Sequence, residues 1–259
     1  MLKIFEMNKI FNCDCIEGMK KLADNSVDMI LCDLPFGITN CDWDKKIDLE
    51  KFWTEIHRVT KLNAACAMFA KSKFLIELAN SNLKYYRYKW VWQKNLACGF
   101  LNAKKMPLCA HEDILIFYRK LPTYNPQFTP GKPYDATKHI HFSNNYKAGI
   151  CFGTKNETGD RFPIDVQKFK TVFTEAKGNL VHSTQKPVAL LEYLIKTYSN
   201  EGEVVLDATI GSGSTAVAAI NTGRQFIGFE LDKKYFDIAC DRVAKAMQLQ
   251  NTPKLFDDI

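Results

Sequence analysis

Apolar and polar positions along the chain change period several times, and the changes mark out its elements. Residues 26–33 form a short apolar run closed by Leu34-Pro35-Phe36-Gly37, the pattern of a buried strand stopping in a turn. A helical period follows at about 49–59, a strand-like run at 64–69 and a helix-like stretch at about 72–80. Residues 85–92 and 113–118, aromatic and β-branched, are strand candidates. Farther on, Pro187 suits the first turn of a helix whose apolar stripe is Val188, Leu190, Leu191, Leu194 and Ile195, with Ser183 or Thr184 as cap. A strand at 203–207, a glycine-rich turn, a small-residue helix at 214–221, a strand at 225–230 and a last helix from about Lys233 complete the pattern. This alternation predicts an α/β fold, a doubly wound, Rossmann-like mixed sheet.

From 121 to 181 the periodicity fades. Five prolines (Pro122, Pro126, Pro130, Pro133, Pro163) and five glycines (Gly131, Gly149, Gly153, Gly159, Gly178) break this stretch into short pieces. It is too long for an idle loop in a compact domain, which predicts an inserted functional segment.

Composition narrows the class. With 259 residues, 46% hydrophobic and 25% charged, the chain can bury a core of its own, and disordered or collagen-like scaffolds are excluded. No apolar run approaches a membrane span, and charges interrupt the first residues before a signal-peptide core could form, so the protein is expected to stay in the cytoplasm. Nine cysteines without a C-x-x-C pair, several inside apolar runs, fit a reducing compartment with neither disulfides nor zinc. His139 and His141 flank Ile140, yet no acid or cysteine is spaced to complete a metal site, and no metal is expected. The net charge of +6 becomes informative once located. Residues 94–181 hold 13 basic and 7 acidic side chains, and the remainder balances at 22 against 22. The whole excess sits in the segment containing the aperiodic stretch, which suits a polyanionic partner.

Two constellations carry candidate chemistry. In Asp207-Ala208-Thr209-Ile210-Gly211-Ser212-Gly213-Ser214-Thr215 the glycines let backbone approach a ligand, and the following helix offers free N–H groups. Glu230, at the tip of the next strand, is placed to accept hydrogen bonds from ribose hydroxyls, which makes this a nucleoside pocket. Ala216 stands where a dinucleotide fingerprint has its third glycine, which disfavours a pyrophosphate ligand. The second constellation, Asp33-Leu34-Pro35-Phe36, gathers a carboxylate, a carbonyl and an aromatic face where open α/β sheets bind ligands.

These motifs resemble those of the DNA amino-methyltransferases that use S-adenosylmethionine. Asp33-Leu34-Pro35-Phe36 is similar to their catalytic Asp-Pro-Pro-Tyr-type tetrapeptide, and residues 182–187 to the segment preceding their cofactor domain. Residues 205–215 and 226–232 resemble their cofactor motifs, and Asn12-Cys13-Asp14-Cys15 their short opening acidic motif. Catalytic motif, variable segment and cofactor motif follow in the order of the permuted beta group. The resemblance implies a catalytic half (1–93), an inserted basic target-recognition segment (94–181) and a cofactor half (182–259).

It further implies S-adenosylmethionine as cofactor and double-stranded DNA as partner, with no membrane or metal, and leaves open a homodimer and a cognate restriction endonuclease. Asp33, Leu34, Pro35 and Phe36 would be catalytic; Asp14, Cys15, Lys186, Asp207, Gly211, Ser212, Gly213, Ser214, Thr215 and Glu230 would bind cofactor. Phe36 would stack on a flipped base, with Trp43 as a second candidate, and Lys186 would touch the cofactor carboxylate or be a solvated residue at a helix start. Lysines and arginines of the middle segment, with Lys104, Lys105, Lys132, Lys138 and Lys147 foremost, would track phosphates. Phe36 in place of Tyr and Leu34 in place of Pro keep the aromatic face and the carbonyl, whereas Ala208-Thr209 departs from the family's Pro-Phe. Adenine N6 is the expected target because the tetrapeptide begins with Asp rather than Ser; cytosine N4, a catalytically silent DNA-binding subunit and, more distantly, a dehydrogenase are the alternatives.

Overall fold

In the computed structural model, which describes residues 6–37, 46–138, 140–143, 149–172 and 185–251, the first half of the chain supplies β1 (Lys9–Asn12), α1 (Cys15–Met19), β2 (Val27–Cys32), α2 (Leu49–Val59), β3 (Thr60–Ala70), α3 (Ser72–Ser81), β4 (Tyr86–Cys98) and β5 (Cys109–Phe117). Four short strands follow, β6 (Tyr134–Asp135), β7 (Ile140–Ser143), β8 (Gly149–Phe152) and β9 (Lys155–Asn156). The chain then forms β10 (Val166–Phe169), α4 (Val188–Tyr198), β11 (Val204–Asp207), α5 (Ser214–Asn221), β12 (Gln225–Glu230) and α6 (Lys233–Asn251).

The apolar run at 26–33 is buried because β2 has protein on both faces. Its side chains alternate: Met29 and Leu31 join one core with α4, α5 and α6, while Ile30 and Cys32 join a second core with α1, α2 and α3. The helices present matching stripes. In α2 these are Phe52, Trp53, Ile56 and Val59, and the Asp48 carboxylate accepts the Lys51 backbone N–H to fix where the helix begins. The central sheet has the order β1-β12-β11-β2-β3-β5-β4-β10. It is parallel from β1 to β3, and β5 then runs antiparallel between β3 and β4. The doubly wound mixed sheet expected from the alternation is therefore observed.

Three elements of this layer carry too little pattern to be legible in the sequence. β1 is four residues long and α1 five, too short to display a period. β10 alternates exposed with half-buried positions and carries no apolar run; it is held as the edge strand parallel to β4.

Residues 94–181 do not form one separate body. The apolar positions Ile114, Leu115, Ile116 and Phe117 are each at most 1% exposed, so β5 belongs to the core of the sheet, and β10 extends the sheet edge. What clusters by itself is Pro126–Ile164. That unit holds two antiparallel ribbons, β6 with β9 and β7 with β8. Within it the Arg161 guanidinium lies over the Tyr134 ring at 4.8 Å and donates to the Gly159 carbonyl at 2.6 Å. Gly131 and Gly159 approach so closely that a Cβ on Gly159 would stand 2.2 Å from the Gly131 carbonyl oxygen, and φ there is +83°. Only glycine satisfies both conditions. Trp43, His139, Lys147 and residues 182–184 lie outside the described residues. Among the described residues, no helix is long and apolar enough to cross a membrane.

Candidate active site

The order of strands decides what meets at the site. Because β5 is antiparallel to both neighbours, the end of β4 and the start of β5 stand at the same sheet edge as the ends of β2 and β3. A cavity of about 970 Å³ opens there, lined by Asp33, Leu34, Pro35 and Phe36 together with residues 207–212, Ser214, Thr215 and Glu230. The two constellations read separately in the sequence thus share one chamber, within the size range of small-molecule sites.

Asp33 follows β2 directly, and its backbone carbonyl accepts the Thr209 hydroxyl at 3.0 Å, which ties the catalytic turn to the glycine-rich turn. It lines the cavity and its side chain keeps a quarter of its exposure, though Oδ1 itself is buried. Lys186 Nζ donates to Asp33 Oδ2 at 2.5 Å, while Oδ1 has no partner. Burial pushes the Asp33 carboxyl above its usual range, Lys186 pulls the other way, and Glu112 adds to the rise. Phe36 is half-buried and stacks on Phe74, with ring centroids 4.8 Å apart and planes at 25°.

Lys186 corrects an expectation. It is not a solvated residue at the helix start; it lines the cavity, its side chain is 10% exposed and its ammonium bridges Asp33 and Glu112, the latter at 3.0 Å. Burial disfavours its charge, and the two carboxylates outweigh that penalty. Lys94, counted in the sequence among the phosphate-tracking lysines, is likewise turned inward: Nζ donates to Glu112 Oε2 at 2.6 Å and lies 4.6 Å from the centre of the Trp92 ring. A segment with 13 basic side chains is therefore not one with 13 free cations.

In the glycine-rich turn, Gly211 N donates to Glu230 Oε2 at 2.9 Å and Asp232 N to Oε1 at 2.8 Å. Each oxygen keeps a further lone pair for a ligand. Burial raises the Glu230 carboxyl above its usual range, and these backbone bonds oppose the rise. Gly211 has φ +55°, and a Cβ built on it would have its nearest neighbour 4.0 Å away, so the turn faces open space. Gly213 plays a different part. It does not line the cavity; with φ +83° it starts α5, and a Cβ there would press on Ala239 of α6 at 3.1 Å. Asp207 is buried and pushed up to about 7 by that burial, against hydrogen bonds from the Thr215 hydroxyl at 2.6 Å and Thr209 N at 3.0 Å. Ser212 and Ser214 accept from Arg242 through their hydroxyls, at 2.9 and 3.2 Å.

Asp14 lines the cavity and caps α1, accepting from Ile16 N at 2.9 Å and Glu17 N at 3.1 Å. Cys15 behind it is buried, with its thiol pushed up to about 12. Asn12 donates to the carbonyls of Glu230 and Leu231, holding the opening motif against the tip of β12. Of the lysines expected on DNA, Lys104 and Lys105 are exposed on the connection between β4 and β5, and Lys132 and Lys138 are exposed in the 126–164 unit. Glu112 is the site residue that sequence reasoning missed. Its signal was faint: two acids, Glu112 and Asp113, stand immediately before a wholly apolar run, where a charge must find a partner or stay in water.

The profile of the DNA methylase family, the N6 and N4 amino-methyltransferases, matches residues 27–241. The type II methyltransferase M.HpaI of Haemophilus parainfluenzae is 27% identical over 247 residues, covering 89% of this chain and 72% of that protein. The solved M1.HpyAVI–SAM complex superposes with a TM-score of 0.61 at 23% identity, over 90% of this chain and 98% of its own. PvuII DNA methyltransferase, cytosine-N4-specific, gives 0.64 at 13% identity, over 94% and 91%. A match spanning both the catalytic turn and the glycine-rich wall covers most of the chain, and on it this protein belongs to the N6/N4 family of S-adenosylmethionine-dependent DNA amino-methyltransferases.

Proposed function

We propose that this protein transfers a methyl group from S-adenosylmethionine to the exocyclic N6 amine of an adenine swung out of duplex DNA. The observation that carries the reading is the buried, unpartnered Oδ1 of Asp33 at a cavity that is also lined by a glycine turn and an acid suited to a ribose. The open space beside Gly211 and the spare lone pairs of Glu230 fit the nucleoside and methionine parts of such a cofactor.

When bound, the cofactor supplies an electrophilic methyl group on a sulfonium. An exocyclic amine is a poor nucleophile because its lone pair is delocalised into the ring. Asp33 Oδ1 accepts one amine N–H and the Leu34 carbonyl the other, which favours a pyramidal nitrogen with its lone pair turned toward the methyl group. Positioning and fixed charge do the work, and no covalent enzyme intermediate is required. Phe36 already uses one ring face on Phe74, so a flipped base stacks on the other. Asp as the first residue of the tetrapeptide supports adenine. The fold does not discriminate, since a cytosine-N4-specific enzyme superposes as well. Incubation with labelled S-adenosylmethionine and DNA of mixed sequence, digestion to nucleosides and chromatography tests both levels: label in N6-methyladenine is expected, label in N4-methylcytosine corrects the target, and no label in any nucleoside removes the reading.

Lys104, Lys105, Lys132, Lys138 and Lys147 are proposed to contact phosphates, with Pro126–Ile164 as the core of target recognition. The double variant Lys104→Ala/Lys105→Ala should flatten the dependence of log Kd for DNA on log salt by about 2, close to one for each phosphate that is no longer neutralised. An unchanged slope in a salt titration by fluorescence anisotropy would remove these two lysines from the interface.

A further inference from the structure

Asp33 meets a problem that its own turn does not solve. A carboxylate as buried as this one tends to take up a proton, and a protonated Asp33 can no longer present two accepting oxygens to the substrate amine. A cation placed anywhere around it would restore the charge, but one spread over both oxygens would occupy the acceptor the reaction needs. Among the described residues one cation touches Asp33, and it does so on one oxygen. Lys186 Nζ holds Oδ2, and Oδ1 is left without a partner.

What keeps Lys186 there lies on two other strands. Its ammonium is shared with Glu112 Oε1 at 3.0 Å and sits over the Phe69 ring at 4.9 Å. Glu112 in turn is anchored through its second oxygen by Lys94, whose ammonium is backed by Trp92. The result is an alternating row, Asp33, Lys186, Glu112, Lys94, that is neutral as a whole and nearly closed to solvent: the last three side chains are 10%, 6% and 14% exposed.

We propose that Glu112, backed by Lys94, is a positioning residue for methyl transfer: it draws the Lys186 ammonium to one side of Asp33, so that Oδ2 carries the ion pair and Oδ1 is left unpaired for the substrate amine. This rests on the methyltransferase reading. Glu112 touches neither substrate nor cofactor in this role and acts through Lys186. Among the described residues, the charged and titratable groups around Asp33 are few: Lys186 from the segment before α4, Glu112 from β5, Lys94 from β4, and Asp207 and Cys32, both buried, from β11 and β2.

The sign of each substitution follows from charge. Methyl transfer needs ionised Asp33, so activity is lost as pH falls through its pKa. Glu112→Gln keeps the shape and removes a like charge, so the acid limb of kcat moves to lower pH by about one unit. Lys94→Met removes an opposite charge and moves it to higher pH. Turnover on the plateau falls in both variants, while KM for DNA and Kd for S-adenosylmethionine stay near wild type. The titration of Asp33 is followed in parallel by carbon-13 carboxyl NMR of the full chain, with the resonance assigned by its loss in Asp33→Asn. This readout does not depend on turnover, so a wild type that methylates no DNA defeats the functional reading while the NMR still decides the network. Opposite displacements of the Asp33 titration in the two variants are expected. An Asp33 titration that stays in place in either folded variant overturns the proposal, and circular dichroism identifies a variant that has not folded, in which case the other decides.

Discussion

Replacing Asp33 by alanine should lower methyl transfer by about 10²–10³-fold, the usual effect of deleting one preorganised electrostatic partner of a reacting group. Asp33 combines a buried oxygen that has no partner with a fixed cation on the other. Removing it takes away the acceptor that localises the amine lone pair. It also leaves Lys186 with Glu112 alone, so Asp33→Asn is the companion variant that keeps shape while removing charge. Cofactor binding should survive in both, because Asp33 meets the glycine-rich wall through its backbone carbonyl, which the substitutions retain. Single-turnover rates with saturating DNA, compared with cofactor affinity by calorimetry, separate the two effects. Full activity of Asp33→Ala would remove it from catalysis.

Replacing Glu230 by alanine should act on the other half of the reaction, weakening S-adenosylmethionine by about 10–100-fold through loss of charge-assisted hydrogen bonds worth about 1.5–3 kcal/mol. The carboxylate does two things at once. It receives the N–H groups of Gly211 and Asp232, which sets the curvature of the turn, and it presents its remaining lone pairs to the cavity. Without it the turn loses a fastening and the ribose loses an acceptor. The turnover rate at saturating cofactor should change far less than the affinity, because in this reading Glu230 holds the ribose and takes no part in activating the amine. An unchanged Kd would show that a ribose is not held here.

The two constellations were legible because each is local. A turn that ends an apolar strand and a glycine-rich turn followed by an acid on the next strand are written in consecutive residues, and the α/β alternation places both at strand ends. The same locality explains what could not be read. Lys186 and Asp33 are 153 residues apart, and nothing near Lys186 announces an acid. Glu112 and Lys94 look like a strand-flanking acid and one more lysine of a basic stretch until β5 is known to run antiparallel between β3 and β4. Gly213 reads as part of the ligand cradle, and its left-handed φ and the approach of Ala239 add a packing reason for glycine that the sequence does not show. The basic excess of 94–181 was real as a count and misleading as a boundary, because a count cannot tell a lysine in water from one spent on a buried carboxylate.

By itself the sequence determined the alternation of strands and helices, the order of the catalytic and cofactor motifs, and the residues at the tips of β2, β11 and β12, since hydrophobic period and turn chemistry are properties of neighbours along the chain. Only the tertiary structure decided that the two motifs share one chamber, that Asp33 is held by one oxygen and unpaired at the other, and that the cation responsible is itself fixed by Glu112 and Lys94. The physical reason is that charge acts through space. In a poorly solvated chamber a carboxylate is governed by whatever ions stand within a few ångströms, and strand order, not sequence position, chooses those ions.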